Sequence, residues 1–177
     1  MSDERLRVIA ATGLVIGALL GIAGSFAPSP QLRALAWGID GTALIVACAL
    51  LVVYHLRQRQ EQLAAGFLVF LAGETLIVSG SGMELVASAP LFAAGAALWA
   101  AALALVSASP LLPAFVRGTG AIAAVLFATT AVRMFLGAGL TPLSTPLPFD
   151  AYPFLAITLF GWAWSHLRTR TVRSVAT

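Results

Sequence analysis

The sequence predicts an all-α membrane protein, a bundle of six transmembrane helices. Hydrophobic residues make up 60% of the 177 residues and charged residues only 10%, and the mean hydropathy is +0.96. Soluble domains carry about 25% charged residues, so this composition is typical of a chain that lies mostly in a lipid bilayer. Since one span needs about 20 residues, we expect a single membrane domain over residues 1–177 and no separate soluble domain.

Charge and cysteine content exclude several functional classes. All ten basic residues are arginines that lie between apolar runs, so the net charge of +3 does not indicate a nucleic-acid partner. Cys48 is the one cysteine and lies inside an apolar run. An intrachain disulfide or a CxxC metal or redox site is therefore excluded, and we expect no bound metal.

The first two apolar runs are expected to form helices at residues 8–27 and 34–56. The first exceeds an ordinary signal-peptide core, so we interpret it as a retained helix. Gly13, Gly17 and Gly21 form two GxxxG steps on one face of it. Because such a face allows close helix approach in lipid, it predicts packing against the third helix, a homo-oligomer partner or another membrane protein.

Three carboxylates lie in or near the next membrane segments. Asp40 comes about two turns into the second helix, on the face that also carries Cys48 and His55. Glu74 lies in the middle of the third run, residues 63–86, and Glu84 about three turns later. A carboxylate near the bilayer centre must be neutral, paired or in contact with water.

The same third run carries small residues at heptad spacing, which predicts a closely packed, central helix. The remaining helices are expected at residues 91–108, 118–140 and 153–168. The fourth has no ionisable side chain and is mostly alanine and leucine, so we expect it to face lipid or another subunit. The fifth carries Arg133 in its last third, and the proline-rich connection after it is stiff enough to cap one end of the bundle.

The arginines predict the orientation. With both termini in the cytoplasm, only Arg33 lies outside and Arg133 lies in the membrane, and all other arginines lie inside. The cytoplasmic set is Arg5, Arg7, Arg57, Arg59, Arg117, Arg168, Arg170 and Arg173. This bias predicts a multi-pass protein of the inner, cytoplasmic membrane.

This orientation places Asp40 and Arg133 at the same level of the outer leaflet, where we predict an ion pair. Glu74 would lie deeper and Glu84 shallower, which gives three carboxylates and one arginine in a site open to the outside. An excess of carboxylates in a low dielectric favours a bound proton or cation. The sequence therefore predicts binding or transport of a small solute or ion, with proton coupling at Glu74.

Two other classes stay open at this point. In one, the chain is a structural or accessory subunit of a membrane complex, and the Asp40 and Arg133 pair only locks two helices together. In the other it is a membrane enzyme, either lipid-modifying or haem-based. His55 and His166 both precede Leu-Arg at cytoplasmic helix ends and would be the axial ligands of a haem.

The positions of the two histidines can also be explained without a functional role, because helix C-termini and membrane interfaces favour such residues. The sequence has no Walker A loop, HExxH motif or nucleophile elbow. These observations favour a protein without enzymatic activity and without a cofactor.

Overall fold

The computed structural model describes residues 1–168, and in that range it contains six α-helices and no strand. The all-α prediction is confirmed. The helices are α1 (Asp3–Ser25), α2 (Pro30–Arg57), α3 (Glu61–Gly80), α4 (Ala89–Ser107), α5 (Ala114–Phe135) and α6 (Tyr152–Arg168). The first five are long and apolar enough to cross a membrane, and α6 has 17 residues. Arg170 and Arg173 lie outside the described residues.

The first two helices begin earlier than predicted because serine residues cap them. Ser2 accepts a hydrogen bond from the Arg5 amide through its hydroxyl oxygen at 3.4 Å, and α1 starts at Asp3. Ser29 accepts one from the Leu32 amide at 3.3 Å at the start of α2. A serine N-cap satisfies an amide that the helix itself leaves without an acceptor, which extends each helix past its apolar run.

Two other helices end earlier than predicted. The third was expected to reach residue 86, but α3 ends at Gly80, where a turn begins at Ser81. The fifth was expected to reach residue 140, but α5 ends at Phe135. Gly137 follows with φ of 87°, a left-handed conformation that glycine adopts at low cost after a helix.

The six helices form a closed ring in chain order. Each helix packs against its neighbours in sequence, and α6 returns to pack against α1. None of the described helices runs through the middle of this ring, so α3 is a member of the wall and the prediction of a central third helix is wrong. Side chains fill the interior instead.

The glycine face of α1 packs against α2 of the same chain. A Cβ atom added at Gly13 would lie 2.8 Å from the carbonyl oxygen of Ala43, and one added at Gly21 would lie 2.9 Å from Oδ2 of Asp40. Gly17 faces Leu44 and Asp40. The glycines therefore serve the α1–α2 contact, and a homo-oligomer or membrane partner that used this face would have to displace α2.

The prediction that the fourth helix faces lipid or another subunit is wrong. α4 has the largest buried share of the five long helices and packs against both α3 and α5. At the α3–α4 contact, a Cβ atom on Gly73 or on Gly95 would lie 2.9 Å from the carbonyl oxygen of the other. Small residues bring the two backbones together, and Trp99 of α4 is left to fill the interior.

A group of five buried aromatic side chains, here called the aromatic core, fills the middle of the ring. Its members are Phe67, Phe70, Trp99, Phe127 and Trp162. Phe70 stacks on Trp99 with ring centroids 5.6 Å apart, and Trp162 meets Phe67 edge-on at 5.0 Å. These contacts tie α3, α4, α5 and α6 together, and each aromatic pair contributes about 0.5–1.5 kcal/mol beyond the area it buries.

We predict that Gly13→Ala destabilises the protein by about 1–3 kcal/mol, because the new methyl group would overlap the Ala43 carbonyl oxygen. Thermal unfolding in detergent micelles measures this loss. Gly38→Ala is the matched control, because nothing lies within 4 Å of its added Cβ, and it should be neutral or stabilising by up to about 1 kcal/mol. Equal stability of the two variants would contradict the close α1–α2 packing.

Candidate functional site

A half-open cavity, here called the carboxylate pocket, lies inside the ring. It is nearer the end that holds the α1–α2, α3–α4 and α5–α6 connections, and its walls come from every helix except α5. The space that the centres of water-sized molecules can occupy in the pocket is about 60 Å³. Because one water needs about 10–15 Å³ by this measure, the pocket has room for a few waters or a small ion.

Glu74 lies at the wall of the pocket and is only 2% exposed. Its Oε2 atom has no hydrogen-bond partner among the described residues, and neither has the indole nitrogen of Trp99. The two groups are close enough to interact electrostatically, although they do not form a hydrogen bond of normal geometry. A buried acceptor and a buried donor thus meet at the same cavity, which is an arrangement that suits a small polar ligand.

Asp40 lies in the same wall, where α2 meets the glycine face of α1. Added Cβ atoms at Gly17 and Gly21 would lie 3.1 Å and 2.9 Å from its carboxylate oxygens. Its Oδ1 atom is buried without a hydrogen-bond partner among the described residues. A Cβ atom on Gly41 would lie 3.0 Å from Oε1 of Glu74. Glycines on two helices therefore make the space that both carboxylates occupy.

The connection between α5 and α6 covers the pocket end of the ring. Pro142 of this connection lines the pocket, and its carbonyl oxygen accepts a hydrogen bond of 2.8 Å from the Tyr152 hydroxyl. Phe149 reaches Phe26 after α1, with ring centroids 5.6 Å apart. The proline-rich segment thus caps one end of the bundle, as its sequence predicts. Tyr152 itself interacts electrostatically with both carboxylates.

Arg133 and Glu84 do not belong to the pocket. Both side chains are exposed, and neither lines the cavity. The predicted ion pair between Asp40 and Arg133 is not formed, whereas Arg57 forms an ion pair with Asp3 at 3.3 Å. Asp40 is on α2 and Arg133 is on α5, and these two helices lie on opposite sides of the ring and make no contact.

The two histidines meet at the other end of the aromatic core. The Nε2 atoms of His55 and His166 are 3.0 Å apart, and Phe67 stacks on the His55 ring with centroids 5.3 Å apart. Two axial haem ligands need a porphyrin and its iron between their rings, whereas these rings are in hydrogen-bond contact. The pair therefore does not fit the predicted haem site.

Three aromatic residues in this region were not predicted to matter. Trp99 and Tyr152 border the pocket, and Trp162 is completely buried. The composition of the fourth helix could have indicated that Trp99 is buried. A helix that consists mostly of alanine, glycine and leucine packs closely on both sides, so its tryptophan has to fill the interior.

Comparisons with known proteins give no family assignment. No protein-family profile matches the chain, and neither curated proteins nor solved structures yield a match. The geometry of the carboxylate pocket and the charges around it therefore carry the functional proposal.

We predict that Arg133→Gln changes the free energy of unfolding by less than about 0.5 kcal/mol, because the side chain is exposed and forms no ion pair. Thermal unfolding in detergent checks this. Arg57→Gln is the control, and breaking its exposed pair with Asp3 should cost up to about 1 kcal/mol. A loss of about 3–5 kcal/mol in Arg133→Gln would instead indicate a buried pair with Asp40.

Proposed function

We propose that this chain is a six-span membrane protein that binds and moves a proton or another small cation through the carboxylate pocket. One observation carries the proposal. Asp40 and Glu74 line the same cavity, and the described residues of its wall include no arginine or histidine. Two carboxylates without a cationic side chain form a site for a positive charge that comes from outside the protein.

Insertion into a membrane is supported by the outer surface of the ring. Five helices have the length and hydropathy of membrane spans, and α6 closes the ring with them. Large apolar side chains such as Leu35, Val125 and Val132 are 56–66% exposed on this surface. Water penalises an apolar surface of this extent, whereas lipid does not.

The arginines support an orientation in which the pocket opens outward. Six described arginines lie at the end away from the pocket, and two, Arg33 and Arg133, lie at the pocket end. The six are Arg5, Arg7, Arg57, Arg59, Arg117 and Arg168. By the positive-inside rule, this distribution supports cytoplasmic termini and a location in the inner membrane.

The chemistry of the pocket favours a cation over other solutes. Burying a carboxylate is costly unless a counter-charge or hydrogen bonds compensate it, and one oxygen on each of Asp40 and Glu74 has no such partner. A bound proton or cation would neutralise part of this charge. The space of about 60 Å³ for the centres of water-sized molecules is sufficient for a small ion with a few waters.

The aromatic core closes the other side of the pocket. Trp99 lines the cavity and also contacts Phe70 and Phe127, with ring centroids 5.6 Å and 5.2 Å away. Passage to the cytoplasm therefore requires these rings to rearrange. In the proposed mechanism, a cation binds from outside at Asp40 and Glu74, and movement of the core then gives access to the inner side.

The alternatives have less support. The accessory-subunit hypothesis depended on the glycine face of α1 and on α4 as contact surfaces, but both pack inside the chain. The haem hypothesis needs space between His55 and His166 that their direct contact occupies. We find no feature of the described residues that favours a lipid-modifying enzyme.

The proposal predicts cation entry into vesicles that contain the purified protein. A potassium gradient with valinomycin makes the lumen negative, and enclosed dyes report luminal pH and sodium. Wild-type vesicles should take up protons or sodium faster than protein-free vesicles, and Glu74→Gln should reduce the rate to background because the site loses its buried charge. Arg133→Gln is the matched control and should keep the wild-type rate. If wild-type vesicles match protein-free ones for both ions, the pocket serves packing alone.

A spectroscopic measurement separates the proton from other cations. If the pocket holds a proton at neutral pH, the infrared C=O band of a protonated carboxyl group should be present and should disappear in Asp40→Asn or Glu74→Gln. Glu84→Gln, at an exposed position, should keep this band. If the pocket holds sodium instead, the carboxylate bands should shift when sodium is added. If the protein shows neither the C=O band nor the sodium-induced shift, the pocket is not a cation site.

A further inference from the structure

The pair formed by His55 and His166 has a hydrogen-bond arrangement that neutral rings cannot satisfy. Both side chains are buried, at 4% and 5% exposure. The Nδ1 atom of His55 lies 2.6 Å from Oε1 of Gln60, and the Nδ1 atom of His166 lies 2.6 Å from the carbonyl oxygen of Trp162. With the Gln60 amide in this orientation, both oxygens accept hydrogen bonds, so each Nδ1 atom carries a hydrogen.

A neutral imidazole with hydrogen on Nδ1 has a lone pair on Nε2. The Nε2 atoms of His55 and His166 face each other at 3.0 Å, so two lone pairs would repel each other at the distance of a hydrogen bond. A positive charge between the two nitrogens removes the conflict. The described residues contain no group of three or more metal ligands, and 3.0 Å is the separation of an N–H···N bond.

We propose that His55 and His166 share one proton between their Nε2 atoms and form a singly charged imidazolium–imidazole pair. This is a second proton-binding site, at the opposite end of the aromatic core from the carboxylate pocket. The contacts of the two rings alone support this site, which does not depend on the proposed function.

The surroundings of the pair include both favourable and unfavourable groups. The two Nδ1–H groups donate hydrogen bonds to Oε1 of Gln60 and to the carbonyl oxygen of Trp162. Because the pair carries a positive charge, these hydrogen bonds are charge-assisted. The rings of Phe67 and Tyr54 lie 5.3 Å and 5.1 Å from the His55 ring and present π-electrons to the shared charge. Arg7 of α1 is a nearby like charge; its guanidinium donates to the backbone oxygen of His166 at 3.3 Å and contacts neither imidazole nitrogen.

Nitrogen NMR of the full-length protein with ¹⁵N-labelled histidine tests the proposal. The chain contains two histidines, so every histidine signal belongs to this pair. In detergent at neutral pH with EDTA, both Nδ1 atoms should give shifts of protonated nitrogen, and the two Nε2 atoms should be coupled through their hydrogen bond. An unprotonated Nδ1 on His55 would overturn the proposal, because it would mean that the Gln60 amide is rotated and donates to a neutral pair. Loss of the coupling only when EDTA is added would overturn it in favour of a metal ion.

Gln60→Glu provides a matched variant at a partly exposed position. A carboxylate accepts hydrogen bonds but cannot donate them, so the histidine spectrum should stay as in the wild type. If the wild-type pair were neutral, this substitution would force a hydrogen onto Nδ1 of His55 and move its signal to the protonated range. His166→Asn should abolish the coupling and leave His55 as a single titrating ring.

Discussion

The close contact between α1 and α2 is the packing interaction on which the carboxylate pocket depends. Gly17 and Gly21 of α1 leave the space beside α2 that Asp40 occupies. In lipid, helices gain little from the hydrophobic effect and associate through van der Waals contact, so small residues decide which backbones approach. The same glycines thus hold the ring together and let a carboxylate lie between two helices. A GxxxG face that in many proteins serves dimerisation here accommodates a polar side chain.

The aromatic core divides the interior of the ring into two polar regions. Asp40 and Glu74 lie on one side of it, and the His55–His166 pair lies on the other. Because the rings between them are buried and in direct contact, no chain of hydrogen bonds among the described residues links the two regions. Any exchange of protons between them would require the core to open.

Most of the helical architecture follows from hydropathy, and much of the site does not. The sequence predicts six helices and places Glu74 correctly within a long apolar helix, because apolar length and helical rise determine where a residue lies along such a helix. It does not determine where each helix stands around the ring. Asp40 and Arg133 were paired on depth alone, and they lie on α2 and α5, which are three positions apart in either direction around the ring. Composition was equally ambiguous for α4, since alanine and leucine suit both a lipid-facing helix and a tightly packed one.

Trp99 connects the carboxylate pocket to the aromatic core. Its indole N–H meets Glu74, its ring stacks on Phe70, and Phe127 contacts its other side. A cation bound at Glu74 would draw electron density from the carboxylate and weaken its attraction for the indole N–H, because both positive groups compete for the same oxygens. The indole would then be less restrained, and Phe70 and Phe127 with it. In the proposed mechanism, occupancy of the pocket is therefore transmitted to the core through Trp99, a side chain on a helix without ionisable groups.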